Sequence, residues 1–170
     1  MNRTEFIRLG LLIPLASVVL PAIPEAAAVS ITATEFVEKA GVAGKFEIAS
    51  SEIVAAKTKN ADIKAFAKRM IKDHTAAADE LKKTAGSKYK VPDALDAKHQ
   101  KMIDKLSAAG ATQDADYVKM QVEAHADAVK LFDTFSQHGD DAALQSFALK
   151  TLPTLKNHYA MIKKISAAQS

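Results

Sequence analysis

From residue 34 onwards, apolar positions recur at steps of three and four, and no stretch sustains the two-residue alternation of a half-buried strand. This pattern predicts helices in series. The first runs from about Thr34 to Lys59, with Phe36, Ala40, Ala43, Glu47, Ser50 and Val54 on one stripe. Asn60 reads as a break and a new N-cap. The second helix carries Ile63, Phe66, Ala67, Met70, His74, Ala77 and Leu81 on one face and ends near Gly86. After a loop over 86–92, Pro92 and Asp93 start a shorter helix bearing Leu95, Met102, Ile103 and Leu106, stopped by Gly110. Asp114 or Asp116 opens the fourth helix, with Val118, Val122, His125, Val129 and Phe132 inward and Gly139 as its C-cap. Asp140 or Asp141 caps the last, which carries Leu144, Ala148, Leu152, Leu155, His158, Ile162 and Ile165. Pro153 inside that pattern predicts a kink or a new segment.

Two long helical hairpins, 34–84 and 114–168, thus bracket one short helix. The fold class expected is all-α: a four-helix bundle with an additional short crossover helix, a connectivity that ferritin-like bundles share.

The first 28 residues read differently. Arg3 and Arg8 precede an apolar run over residues 9–20, Pro21 and Pro24 break it, and Ala26, Ala27 and Ala28 offer a small-residue cleavage site. The run is shorter than the roughly 20 residues a membrane span needs. Residues 1–28 are therefore expected to be a signal peptide, and residues 29–170 the folded domain, with no membrane span left after cleavage. An exported protein follows, periplasmic or associated with the outer membrane if the cell is bacterial.

Composition narrows the chemistry. The absence of cysteine removes disulfides, thiolate metal ligands, covalent haem and cysteine nucleophiles. The net charge of +3, with lysines spread among acids, does not make a nucleic-acid stripe, so no nucleic-acid partner is expected. There is no glycine-rich phosphate loop and no nucleophile elbow.

What stands out is four polar residues on apolar stripes: Glu47, His74, His125 and His158, one on each long helix. Counted from the hairpin turns, Glu47, His74 and His125 lie about 12 to 14 residues away. His158 lies about 19, which puts it off their level by roughly 7 Å before any kink at Pro153. One carboxylate and three imidazoles are thus expected to converge near mid-bundle. Buried, they must satisfy one another, bind water or coordinate an ion. Three imidazoles and a carboxylate suit one transition-metal ion (Zn, Fe, Mn or Cu); the alternative is a non-enzymatic envelope or stress-related structural or interaction protein, whose metal-free hydrogen-bonded core only fixes helix register.

A dinuclear carboxylate site is disfavoured. It needs Glu-x-x-His on two helices, and Ile71, Val122 and Leu155 stand three residues before the histidines. Asp73 is either an outer partner of the site or solvated, being about 100° round the helix from His74. Met70 and Met161 read as core filler rather than as copper or haem ligands. His138 reads as a C-terminal cap, His99 as exposed, and Tyr117 and Tyr159 as either pocket ends or core.

Four elements carry a family resemblance: Gly44-Lys45-Phe46-Glu47; Phe66-Ala67-Lys68-Arg69-Met70-Ile71-Lys72-Asp73-His74; Tyr117 with Val122-Glu123-Ala124-His125; and Leu152-Pro153-Thr154-Leu155-Lys156-Asn157-His158. Together they resemble the domain-of-unknown-function 4142 family over about residues 34–165, with Gln113 standing where that family tends to carry Phe. The resemblance implies an exported bundle of the ferritin-like superfamily with envelope association. It supplies no reaction and leaves protein partners open.

Overall fold

The computed structural model describes residues 31–169. The segment expected to be a signal peptide, residues 1–28, lies outside them. The chain forms α1 (Ala33–Lys57), α2 (Ala61–Ala85), α3 (Ala97–Ala108), a short 3-10 turn (Gly110–Thr112), α4 (Gln113–His138) and α5 (Ala142–Ala167). There is no strand among the described residues. Helix α1 packs on α2 and α4, α5 packs on α4 and α2, and α3 lies along α1 and α4. The expected four-helix bundle with one crossover helix is therefore the architecture observed.

Local chemistry explains the boundaries. Thr32 and Glu35 form a reciprocal capping box at the start of α1. Asn60 Oδ1 accepts from the Asp62 and Ile63 amides to open α2. Gly86 closes α2 at φ 54°, a left-handed conformation that a side chain would strain. Gly139 closes α4 for another reason: its backbone is extended, and a Cβ there would strike the Phe135 ring at 2.7 Å.

Three expectations need correction. Helix α3 starts at Ala97, not at Pro92–Asp93. Asp96 is its cap, accepting from the His99 amide at 2.8 Å, while the Pro92 ring is occupied against Gly41 of α1. Of the kink or new segment expected at Pro153, the new segment does not occur, because α5 runs through it. The ring lies on the exposed side, where water can reach the Leu149 carbonyl that loses its amide donor. On α4 the buried stripe runs through Val118, Gln121, His125, Ala128, Phe132 and Phe135, and Val122 and Val129 stand only half-buried beside it.

The apolar core has two parts. One holds Phe36, Val37, Leu81, Phe132, Phe135, Leu144, Phe147, Leu152 and Leu155. The other holds Val54, Ile63, Phe66, Met70, Leu106, Tyr117, Val118 and Ile162. On every long helix, the polar residue singled out in the sequence falls between the two parts.

The turn between α4 and α5 is tied down at the first end. Asp140 Oδ1 accepts from the Ala33 amide at 2.6 Å. Asp141 caps α5 through the Ala143 and Leu144 amides, and also takes Lys88 Nζ at 2.7 Å and Tyr89 Oη at 3.0 Å from the crossover. The Lys88 contact leads the effects that hold the Asp141 carboxyl down from 3.8 to about 2. A depressed carboxyl stabilises the fold above its unfolded pKa, and that contribution is lost as pH falls towards the folded value. Asp141→Ala is expected to cost about 1 kcal/mol at pH 7, the usual worth of a cap. It should also flatten the fall in stability between about pH 4 and pH 2, which urea melts at several pH values measure directly.

Candidate metal centre

Each long helix delivers one side chain to the layer between the two apolar clusters. Glu47, His74, His125 and His158 are all buried, with Glu47 only 2% exposed. The convergence expected from the hairpin counts is observed. The three imidazole centroids lie 5.7 Å (His74–His125), 5.4 Å (His74–His158) and 5.7 Å (His125–His158) apart. One ring nitrogen from each histidine falls within 4.8 Å of those of the other two.

One nitrogen of each ring is engaged by a neighbour. His74 Nδ1 donates to Glu47 Oε2 at 3.0 Å. His125 Nδ1 donates to the Gln121 carbonyl at 2.9 Å, with Glu47 Oε1 at 3.6 Å. His158 Nε2 donates to Asp73 Oδ2 at 2.9 Å. Each imidazole therefore has its N–H assigned, and His74 Nε2, His125 Nε2 and His158 Nδ1 are left buried without a hydrogen-bond partner. Glu47 Oε1 is likewise without one.

Electrostatics separates the three rings. Burial works against the charged form of His74, but the Glu47 carboxylate outweighs it and raises the pKa above 6.5. Burial would raise Glu47, yet the His74 imidazole, with smaller help from His125 and His158, holds it below 4.5. For His125 burial wins, and the pKa is lowered. Burial likewise pushes His158 down to about 4, against the pull of Asp73. The Glu47 carboxylate thus favours the charged form of His74, while burial favours the neutral form of His125 and His158.

Asp73 is placed by the structure as a partner of the site and not as a solvated residue. It is 23% exposed, bridges α2 to α5 through His158, and meets Arg69 Nε at 3.4 Å on its outer side. Sequence reasoning missed Gln121. No signal pointed to it, because the acceptor is a main-chain carbonyl that any residue four positions before His125 would supply. Gln121 Nε2 also donates to Ser50 Oγ at 2.9 Å, and Ser51 Oγ meets Tyr117 Oη at 2.8 Å, so a polar seam continues along α1 and α4. Tyr117 is thus core with a polar tip. Phe66 sits beside the layer, 6.2 Å from His125 and 6.3 Å from His158.

The other candidates stand apart from this group. Met70 is buried in the second apolar cluster, and half-buried Met161 takes a long contact from Arg69 Nη1 at 3.9 Å. His99 is half-buried, not exposed, because its Nδ1 meets Asp96 at 2.8 Å and its ring lies 5.1 Å from Phe46. His138 is exposed in the last turn of α4, as a cap would be. No helix among the described residues is long and apolar enough to cross a membrane.

Fold and site together define a helical bundle whose core is interrupted by an imidazole triad, each ring with one nitrogen engaged by a neighbour. A family model described as a domain of unknown function, DUF4142, matches residues 19–165, and the chain belongs to that family. Two solved structures share the fold. One, "CopM in the Cu(II)-bound form", has a TM-score of 0.70 at 17% identity, covering 83% of this chain and 99% of that one. The other, a DUF305 fragment from Deinococcus radiodurans, has a TM-score of 0.68 at 10% identity, covering 79% and 95%. No curated protein matches the chain.

Proposed function

We propose that this protein binds one transition-metal ion through His74, His125 and His158. The observation that carries the reading is the convergence of three buried imidazoles, one ring nitrogen of each within 4.8 Å of the others, together with one nitrogen on every ring left without a hydrogen-bond partner. Neutral imidazoles offer three acceptors and no donor. Protonating one supplies a donor for one neighbour and leaves another unsatisfied, and charging a second adds repulsion in a buried layer. A single cation takes all three lone pairs at once. The acceptors that engage the other nitrogens complete the argument, since metal-bound histidines commonly donate their second N–H to a carboxylate or carbonyl. Glu47, the Gln121 carbonyl and Asp73 fill those places. Glu47 then serves as the orienting partner of His74, where the sequence reading counted it as a fourth ligand.

Imidazole donors suit Zn, Cu and Fe better than Mn, and the fold shared with a protein solved in a Cu(II)-bound form supports copper among these. The Arg and apolar pattern of residues 1–28 supports an exported protein that meets its metal in the cell envelope. Protein purified without an affinity tag is expected to take up about one equivalent of Cu(II) or Zn(II), with a melting temperature that rises on loading and falls with chelator. Metal at 100 times Kd corresponds to about 2.7 kcal/mol. His125→Ala should abolish that rise. Less than about a tenth of an equivalent, with no stabilisation by any of the four ions, would instead establish the metal-free register core built on the Glu47–His74 pair.

A further inference from the structure

The groups that engage the three histidines differ in how far water reaches them. Glu47 is 2% exposed and Gln121 is fully buried. The Asp73 side chain is 23% exposed, yet its Oδ2 lies 2.9 Å from His158 Nε2. On this side alone, a partly exposed carboxylate touches a ring of the triad. Asp73 meets both His158 and Arg69 Nε through Oδ2, and Oδ1 takes part in neither contact. Arg69 and Asp73 line an open groove between α2 and α5, together with Ala76, Pro153, Thr154 and Asn157.

A second opening approaches the same layer from between α1 and α2, and reaches Glu47 and His74. It holds about 60 Å³, against about 530 Å³ for the α2–α5 groove. Lys45 and Lys82 stand among its lining residues, and most of the others are apolar. A cation there would give up its water to apolar walls while two ammonium groups repel it. The α2–α5 groove offers the reverse. It has room for an ion that keeps its water, and it holds a carboxylate oxygen able to replace one of those waters before an imidazole is met.

We propose, resting on the metal-binding reading above, that a divalent transition-metal ion reaches the triad through the α2–α5 groove, with Asp73 as the first protein ligand it meets. Arg69 sets the pace. Its guanidinium neutralises the carboxylate at the mouth and repels an arriving dication. It is itself 50% exposed, so the pair is weakly held and parts readily when an ion takes the carboxylate. Asp73 thus has two tasks, to hold His158 and to admit the ion.

The test measures rates beside affinity. Zn(II) uptake by the full chain is followed by stopped flow, from the absorbance of a chromophoric zinc indicator, and release is followed with excess chelator. Arg69→Gln removes an exposed charge and no ligand. It is expected to speed uptake about threefold at low salt, a gain that vanishes at about 1 M salt. Thr154→Lys adds a cation at an exposed position of the groove without altering Asp73, and should slow uptake about threefold. Asp73→Asn keeps an acceptor for His158 and should slow uptake and release alike. A residue that only orients His158 would instead speed release and leave uptake unchanged. Lys82→Gln, in the other opening, should leave uptake as it is. Uptake that responds to Lys82→Gln but not to Arg69→Gln or Thr154→Lys, or faster release at unchanged uptake in Asp73→Asn, would overturn the route while leaving the metal centre in place. No Zn(II) or Cu(II) uptake by the unaltered chain would remove the metal centre and the route together.

Discussion

Glu47→Ala is expected to destabilise the metal-free protein by about 3 kcal/mol. Glu47 Oε2 is the acceptor for His74 Nδ1 at 3.0 Å, and both groups are buried. Removing the carboxylate leaves His74 without its counter-charge in a layer that already holds two other imidazoles. The alanine also leaves a void in the layer between the two apolar clusters, where Glu47 is buried. Glu47→Gln separates the two effects. It keeps the volume and an acceptor for the His74 N–H, so the remaining loss reads the charge alone. Urea denaturation at pH 7 measures both variants. A loss below about 0.5 kcal/mol for the alanine, as at an ordinary surface position, would mean that the ion pair contributes nothing.

Phe36→Ala is expected to cost more, about 4 kcal/mol, the range for deleting a buried aromatic. Phe36 is fully buried at the first end of the bundle. Its ring stacks on Phe135 with centroids 4.0 Å apart, and meets Phe132 at 5.0 Å and Phe147 at 6.4 Å edge-on. Three helices therefore lose their common contact when this side chain is cut back. The neighbours belong to rigid helices and cannot close fully on the gap, so a cavity term adds to the lost burial. Thermal melts should show a fall of roughly 10–15 °C for a domain of this size. A shift of under about 4 °C would show that the cluster collapses onto the alanine. Because Phe36 lies outside the histidine layer, metal-induced stabilisation should survive this substitution as long as the protein folds.

Much of this was legible in the chain itself. Three-and-four spacing located all five helices, and Asn60, Gly86, Gly110 and Asp141 marked real ends. Counting residues away from each turn put Glu47, His74 and His125 on one level but left His158 off it by roughly 7 Å; the structure brings all four together. Boundaries that depend on tertiary contacts did not follow. Pro92 looked like a helix start because nothing local revealed that its ring is held against Gly41. Pro153 looked like a break because its exposure, which lets water reach the freed carbonyl, is a property of the packed bundle. The partners of the imidazoles were hidden for a similar reason. Asp73 reaches His158 only across the α2–α5 interface, a contact 85 residues apart in sequence. His125 uses a main-chain carbonyl, which carries no residue-type signal.

The split of the interior into two greasy compartments has a bearing on how the molecule comes apart. Both compartments recruit side chains from all four long rods, α1, α2, α4 and α5. Neither N-terminal nor C-terminal hairpin can then complete a compartment by itself, so the two halves of the chain must assemble together, and a severed hairpin is expected to remain unstructured until its counterpart is supplied.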